Sequence, residues 1–139
     1  MKRLNADDIR RLCAFKDETP WLEFKTNWFE PEGLGQSISS LSNAAALCGV
    51  AEGYLLWGIA DGSHEIIGTD FNYLRSIKNE PLEHFYARQI SPSIAFSFEE
   101  LSVDGKRLVV LRVPSANRVP TSFDHVGYIR IGSSKENAE

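Results

Sequence analysis

Residues 53–60 read GYLLWGIA, apolar at nearly every position. Such a run suits a strand covered on both faces, the centre of a sheet with other structure packed on each side. Asp61-Gly62-Ser63-His64 follows as a turn, and Glu65-Ile66-Ile67-Gly68 reads as a short returning strand, so the segment predicts a hairpin. Asp61 then sits at the tip of a rigid central strand, where a carboxylate is firmly held and still open to solvent. Asp-Gly is equally an ordinary turn pair that needs no function.

Upstream, residues 20–27 read PWLEFKTN, in which Trp21, Glu23 and Lys25 alternate with Leu22, Phe24 and Thr26. This period of two predicts a strand with Leu22 and Phe24 turned to the core and Trp21, Glu23 and Lys25 sharing the other face. A carboxylate and an ammonium side by side suit a metal-dependent nuclease, where the one holds a divalent cation and the other stabilises charge on a phosphate. They also make a plain exposed ion pair. Between the two strands, residues 31–35 read as a loop. A helix follows, marked by Leu34, Ile38, Leu41, Ala45 and Cys48 and ending near Gly49. Its other positions are small, from Ser37 through Ser42 and Asn43 to Ala46, which lets a neighbouring backbone or a ligand come close. Close packing is the simpler of the two. At the chain start, Ala6 to Phe15 suits an amphipathic helix capped at Asn5 or Asp7, with Ile9, Leu12 and Cys13 inward.

Downstream, Pro81 fits the first turn of a helix carrying Leu82, Phe85, Tyr86 and Ile90 on one face, and Ser91-Pro92 ends it. Ile94, Phe96 and Phe98 alternate as a strand that continues through Val103 to an Asp104-Gly105 turn. Leu108 to Val113 pairs back. Pro114 to Asp124 reads as a loop, and Val126 to Ile131 as a last short strand. The order of elements predicts an α+β fold, a mixed and mainly antiparallel sheet with helices packed against it. The chain stops soon after that strand, which is expected of a domain boundary inside a longer protein.

Bulk properties narrow the class. At 139 residues, with 42% apolar and 24% charged content, the sequence suits one globular domain. No run approaches the ~20 apolar residues of a membrane span, and the start lacks the apolar core of a secretory signal. Cys13 and Cys48 stand apart without zinc spacing and read as reduced thiols of a cytoplasmic protein. The net charge of −4 is unevenly spread: residues 1–27 carry +1, residues 28–104 carry −8 and residues 105–135 carry +5. The basic ends would give a nucleic-acid surface if they lay side by side in a sheet. The same pattern arises if acidic helices and basic strands merely segregate.

The segments WLEFK (21–25), ISSLSNAAALCGVAEGYLLWGIADGSHEIIGT (38–69), SPSIAFSFEE (91–100), LVVLRVPSA (108–116) and GYIRIGSS (127–134) together resemble the Schlafen-type Alba-like domain. Its bacterial members form N-terminal modules of transcriptional regulators, many labelled RecG-related or divergent ATP-binding proteins. The resemblance runs from about Thr19 to Ser134, with SNAAAL and GYLLWGI in place of the commoner NTxGG. In the family's nucleases three carboxylates hold a metal that cleaves RNA. By position these fall on Glu18, with Asp17 as its alternative, Glu23 and Asp61, with Lys25 as the adjacent cation and Mg²⁺ or Mn²⁺ as the ion. A phosphate loop for ATP is not visible: the Gly105-Lys106 pair has Glu100 where the first glycine belongs and lies in a β-turn.

The leading functional expectation is therefore a nucleic-acid-binding domain of a regulator. Lys25, Arg107, Arg112, Arg118, Arg130 and Lys135 would contact phosphates, and Trp21 or Trp28 would stack on an unpaired base. The alternatives are a divalent-metal endonuclease using Glu18, Glu23, Asp61 and Lys25, and a module for protein interaction or homodimer formation.

Overall fold

The apolar run around Trp57 becomes the middle of a four-stranded sheet. The computed structural model describes residues 2–15, 19–117, 119–131 and 134–137, with backbone alone for 130, 131 and 134–137. In chain order the elements are α1 (Ala6–Cys13), β1 (Leu22–Lys25), α2 (Pro31–Cys48), β2 (Glu52–Trp57), β3 (Ser76–Ile77), β4 (Glu80–Pro81) and α3 (Leu82–Gln89). They continue with β5 (Ile90–Ser91), β6 (Ser97–Val103), β7 (Lys106–Pro114), β8 (Ser122–Phe123), β9 (Val126–Ile131) and β10 (Ser134–Asn137). The main sheet runs β1-β2-β7-β6, with β1 parallel to β2 and the other pairs antiparallel. A second sheet runs β10-β9-β8-β5, and β3 and β4 form a separate ribbon. The α+β, mainly antiparallel architecture expected from the sequence is the one observed.

Alternation along β2 and β7 divides the core in two. Leu55, Trp57, Val109, Leu111 and Val113 face α2 and α3 on one side. Leu56, Leu108 and Val110 face α1 on the other, with Leu22 and Phe24 of β1 and Ile9 and Leu12 of α1. Helix α2 is wedged between the two sheets, and its small residues are there for close packing. Asn43 donates to the carbonyls of Thr121 (3.0 Å) and Tyr128 (2.7 Å) and accepts from the Thr121 N–H (2.7 Å). Ser39 donates to the Thr121 carbonyl and accepts the Tyr128 N–H. A Cβ on Gly35 would lie 2.2 Å from the Phe123 ring, so the second sheet can approach only a glycine. Buried polar groups paired this way hold α2 to β8 and β9 in one register.

Several boundaries differ from the sequence reading. Helix α2 begins at Pro31 rather than after Gly35, because the Glu30 carboxylate accepts the Glu32 and Gly33 N–H groups and Pro31 occupies the first helical position. Residues 65–68 contribute only a bridge, Ile59 to Ile66, since Gly58 (φ +103°) and Gly68 (φ +86°) bend the chain out of a strand. The 114–124 loop contains β8, and β10 pairs back on β9 where no terminal element was expected. The basic ends do not lie side by side in one sheet. Strand β2 separates β1 from β7, and β9 and β10 belong to the other sheet.

Candidate functional site

Because Leu22 and Phe24 turn to the α1 side, Glu23 and Lys25 turn to the α2 side at the sheet's edge strand. Trp21 does not share that face. It precedes β1 and packs with Phe15 (5.3 Å) and Tyr54 (6.2 Å) in edge-to-face contacts, walling a cleft of about 280 Å³ on the α1 side. The face expected to carry an aromatic, a carboxylate and a cation thus carries only the last two.

Glu23 is buried against α2, where the Ser37 hydroxyl donates to Oε2 at 3.4 Å. Lys25 Nζ lies 3.6 Å from Glu23 Oε1 and 4.9 Å from the centre of the Trp28 ring. One third of the lysine side chain remains exposed. Trp28 is fixed at two points. Its carbonyl accepts the Trp57 indole N–H (2.6 Å), and its ring fills the space where a Gly33 side chain would stand, 2.8 Å from an ideal Cβ. The ammonium is therefore held between a carboxylate and an aromatic face. At the start of α2, Glu30 accepts the helix's first N–H groups, and Phe123 fills the space above Gly35.

The next residue repeats the motif. Phe29 stacks on Phe71 (5.9 Å), which stacks on the buried Trp57 (4.2 Å, 10° between planes), and the Arg75 guanidinium lies 4.3 Å over Phe29. Tyr86 closes this corner by donating to the Pro31 carbonyl at 2.6 Å. Burial first, and then the Glu30 charge, push its phenol well above the ordinary range. The sequence reading passed over Arg75. Its signal was the interleaving of Tyr73 and Arg75 ahead of Lys78-Asn79, whose positive φ values close the β3–β4 turn.

The other expected residues fall differently. Asp61 is exposed in the turn after β2, and that turn is anchored on the α1 side. The His64 ring lies 4.3 Å from Phe24, and its Nδ1 is 3.2 Å from the Cys13 carbonyl. Glu18 and Arg118 lie outside the described residues. Among the described residues no three of His, Cys, Asp and Glu stand together as a metal-binding group. Arg107 donates to Glu100 (2.9 Å) and to the Thr69 carbonyl (3.1 Å). Arg112 is buried, and donates to Glu52, to Glu99 (2.9 Å) and to the Lys2 carbonyl (2.7 Å). Burial acts to lower its pKa, but the two carboxylates outweigh it and hold the guanidinium above its ordinary value. Arg112 is a fastener between β2, β6, β7 and the N-terminal arm. Arg130 and Lys135 occupy opposed register positions of β9 and β10. Among the described residues, no helix is long and apolar enough to cross a membrane.

Comparison with known proteins adds the lineage. The family profile described as Schlafen, AlbA_2 matches residues 18–139. A solved structure of the N-terminal domain of a RecG-related protein from Nitrosomonas europaea is similar, with TM-score 0.56 and 22% identity over 97% of this chain and 93% of that one. The DIP2311 protein of Corynebacterium diphtheriae is also similar, with TM-score 0.57 and 16% identity over 94% of this chain. This chain spans only 29% of that protein's length. Curated proteins give no match.

Proposed function

This chain belongs to the Schlafen AlbA_2 family, and on that premise we propose that it is a nucleic-acid-binding domain, the N-terminal module of a longer cytoplasmic transcriptional regulator. The observation that carries the reading is Lys25. It is partly exposed, fixed over Trp28 and directed from the edge of the main sheet. Phosphodiester oxygens are the partner such a cation suits, because an exposed, pre-positioned ammonium gains by displacing condensed counterions. The opposed cationic positions Arg130 and Lys135 on the second sheet support the same partner. Pairing of two copies would extend the surface, and gel filtration tests it.

The test is fluorescence anisotropy with labelled single-stranded RNA, an RNA hairpin and duplex DNA, in EDTA and in Mn²⁺. Binding should weaken steeply with salt and should weaken further in Lys25→Gln. Absence of binding to all three at low salt overturns the proposal.

Glu23 favours a second reading, cleavage of the bound strand, because a buried carboxylate beside a lysine is the pair a metal-dependent nuclease requires. Glu18 and Asp61 would complete a set for Mg²⁺ or Mn²⁺. Glu18 lies outside the described residues, and Asp61 stands in the exposed turn after β2. Metal-dependent cleavage lost in Glu23→Ala would establish it.

A further inference from the structure

The arginines of this domain differ in what holds them. Arg3, Arg10, Arg11, Arg88, Arg107 and Arg112 each donate to a carboxylate or a backbone carbonyl within the fold. Arg75 is held otherwise. It is exposed, its guanidinium lies over Phe29, and that guanidinium has no hydrogen-bond or ion-pair partner among the described residues. A carboxylate partner occupies the N–H fork of a guanidinium. An aromatic partner fixes the group through its face and leaves all five N–H groups outward, in the geometry that grips a phosphate at two points.

The support under Arg75 is rigid. Phe29, Phe71 and Trp57 form a stack that reaches the core. The Arg75 carbonyl accepts the Leu82 N–H at 2.9 Å, and its own N–H donates to Asn72. Lys78, exposed at the tip of the β3–β4 turn, adds a second cation three residues on. The Glu30 carboxylate at the same corner is engaged by the start of α2. Trp28 and Phe29 are consecutive, so the Lys25 and Arg75 seats are set on neighbouring residues of one loop.

We infer that Arg75, seated on Phe29 beside the Lys25–Trp28 pair, is a phosphate-gripping residue, and that the strand it holds runs across the β1–α2 loop toward the β3–β4 turn. This rests on the nucleic-acid reading above and adds a residue and a path to it. The ligand chemistry is a phosphodiester backbone, and RNA and DNA are separate arms of the test.

The experiment measures affinity against salt for the full chain and for Arg75→Gln, Phe29→Leu and Arg88→Gln, with single-stranded RNA and duplex DNA. Arg88 is the matched control, an exposed arginine lying 5.8 Å over Phe85 but gripped by Glu80. Arg75→Gln should weaken binding roughly three- to tenfold near ~0.1 M salt. It should also reduce the slope of log affinity on log salt by about 0.7 on a single strand or about 0.9 on duplex, the signature of one lost phosphate contact. Phe29→Leu, which keeps the charge without its seat, should give an intermediate loss, and Arg88→Gln should leave the slope unchanged. If the wild-type chain binds and Arg75→Gln matches Arg88→Gln, the role of Arg75 falls and the nucleic-acid reading stands. If the wild-type chain binds neither nucleic acid, both fall.

Discussion

The two faces of the main sheet treat positive charge in opposite ways. On the α1 face, Arg112 is buried beneath the N-terminal arm with Glu52 and Glu99 around it, and every arm of its guanidinium has a partner inside the fold. On the α2 side, at the edge, Lys25 and Arg75 rest on aromatic rings, Lys25 partly exposed beside Glu23 and Arg75 exposed. Cations of the first kind hold elements together, and those of the second keep contact with solvent. A count of basic residues along the chain cannot separate them, which is why the +5 segment pointed to Arg107 and Arg112 while Arg75 sat in the acidic middle.

The contrast is broken most severely at Arg112. Replacing it with alanine leaves Glu52 and Glu99 in a site where both are mostly buried, and removal of one partner from a buried ion network costs about 3–5 kcal/mol. Urea denaturation should show that loss, or failure to fold at 37 °C. A loss under ~1 kcal/mol would mean that the network is solvated and that Arg112 is no fastener. Any molecules that remain folded should bind nucleic acid as the wild type does.

Asn43 is the next largest. It sits where α2 meets the second sheet, and Asn43→Ala removes the acceptor of the Thr121 N–H and a donor to the Tyr128 carbonyl, while the Thr121 carbonyl keeps the Ser39 hydroxyl. Buried groups left unpaired cost about 1–3 kcal/mol. The change should appear as a lower urea midpoint, with loss of amide protection in β8 and β9 before β2. Uniform loss across both sheets would show that they unfold as one unit.

Lys25→Gln should do the reverse of Arg112→Ala. Stability should fall less than in Arg112→Ala, by about 1–2 kcal/mol, because Glu23 is buried but keeps the Ser37 hydroxyl, and only Lys25 of the pair is partly exposed. Affinity should fall roughly three- to tenfold, with a shallower salt slope. Equal losses of stability and binding would make Lys25 a structural residue and erase the distinction between the faces.

How much of this was legible beforehand follows from which interactions are local. The apolar run at 53–60, the helix stripe from Leu34 to Cys48, the Asp104-Gly105 turn and the α1 cap are written in neighbouring residues and were read correctly in type. The second sheet was not, because β5, β8 and β10 are two to four residues long and exist through pairing with distant partners. The Glu23–Lys25 pair was legible from strand alternation. The cation seats were not, since Arg75 meets Phe29 across 46 positions of sequence and only the fold brings them together. Trp21 was misplaced for a simpler reason: β1 begins one residue later than the alternation suggested.

The smallest expected effect concerns α1, the helix that covers the face of locked cations. Its start is a reciprocal cap. The Asp8 N–H donates to Asn5 Oδ1 (2.9 Å), and Asp8 Oδ2 accepts the Asn5 N–H (2.8 Å), with Arg11 beside the carboxylate. The Asn5 hydrogen bond above all, opposed by desolvation and aided by Arg11, holds the Asp8 carboxyl below its ordinary value. A carboxyl depressed on folding contributes stability that is fully present above its unfolded value, near 3.8, and is lost as pH falls through its folded value. Wild-type protein should therefore lose part of the α1 contribution below about pH 4. Asp8→Asn, which has no charge to titrate, should start slightly less stable at neutral pH and give a flatter acid limb. Urea midpoints from pH 6 down to pH 2.5 for both proteins decide it, with parallel curves overturning the role of Asp8. Nucleic-acid binding at neutral pH should be equal in the two, because the cap lies on the face whose cations are already taken.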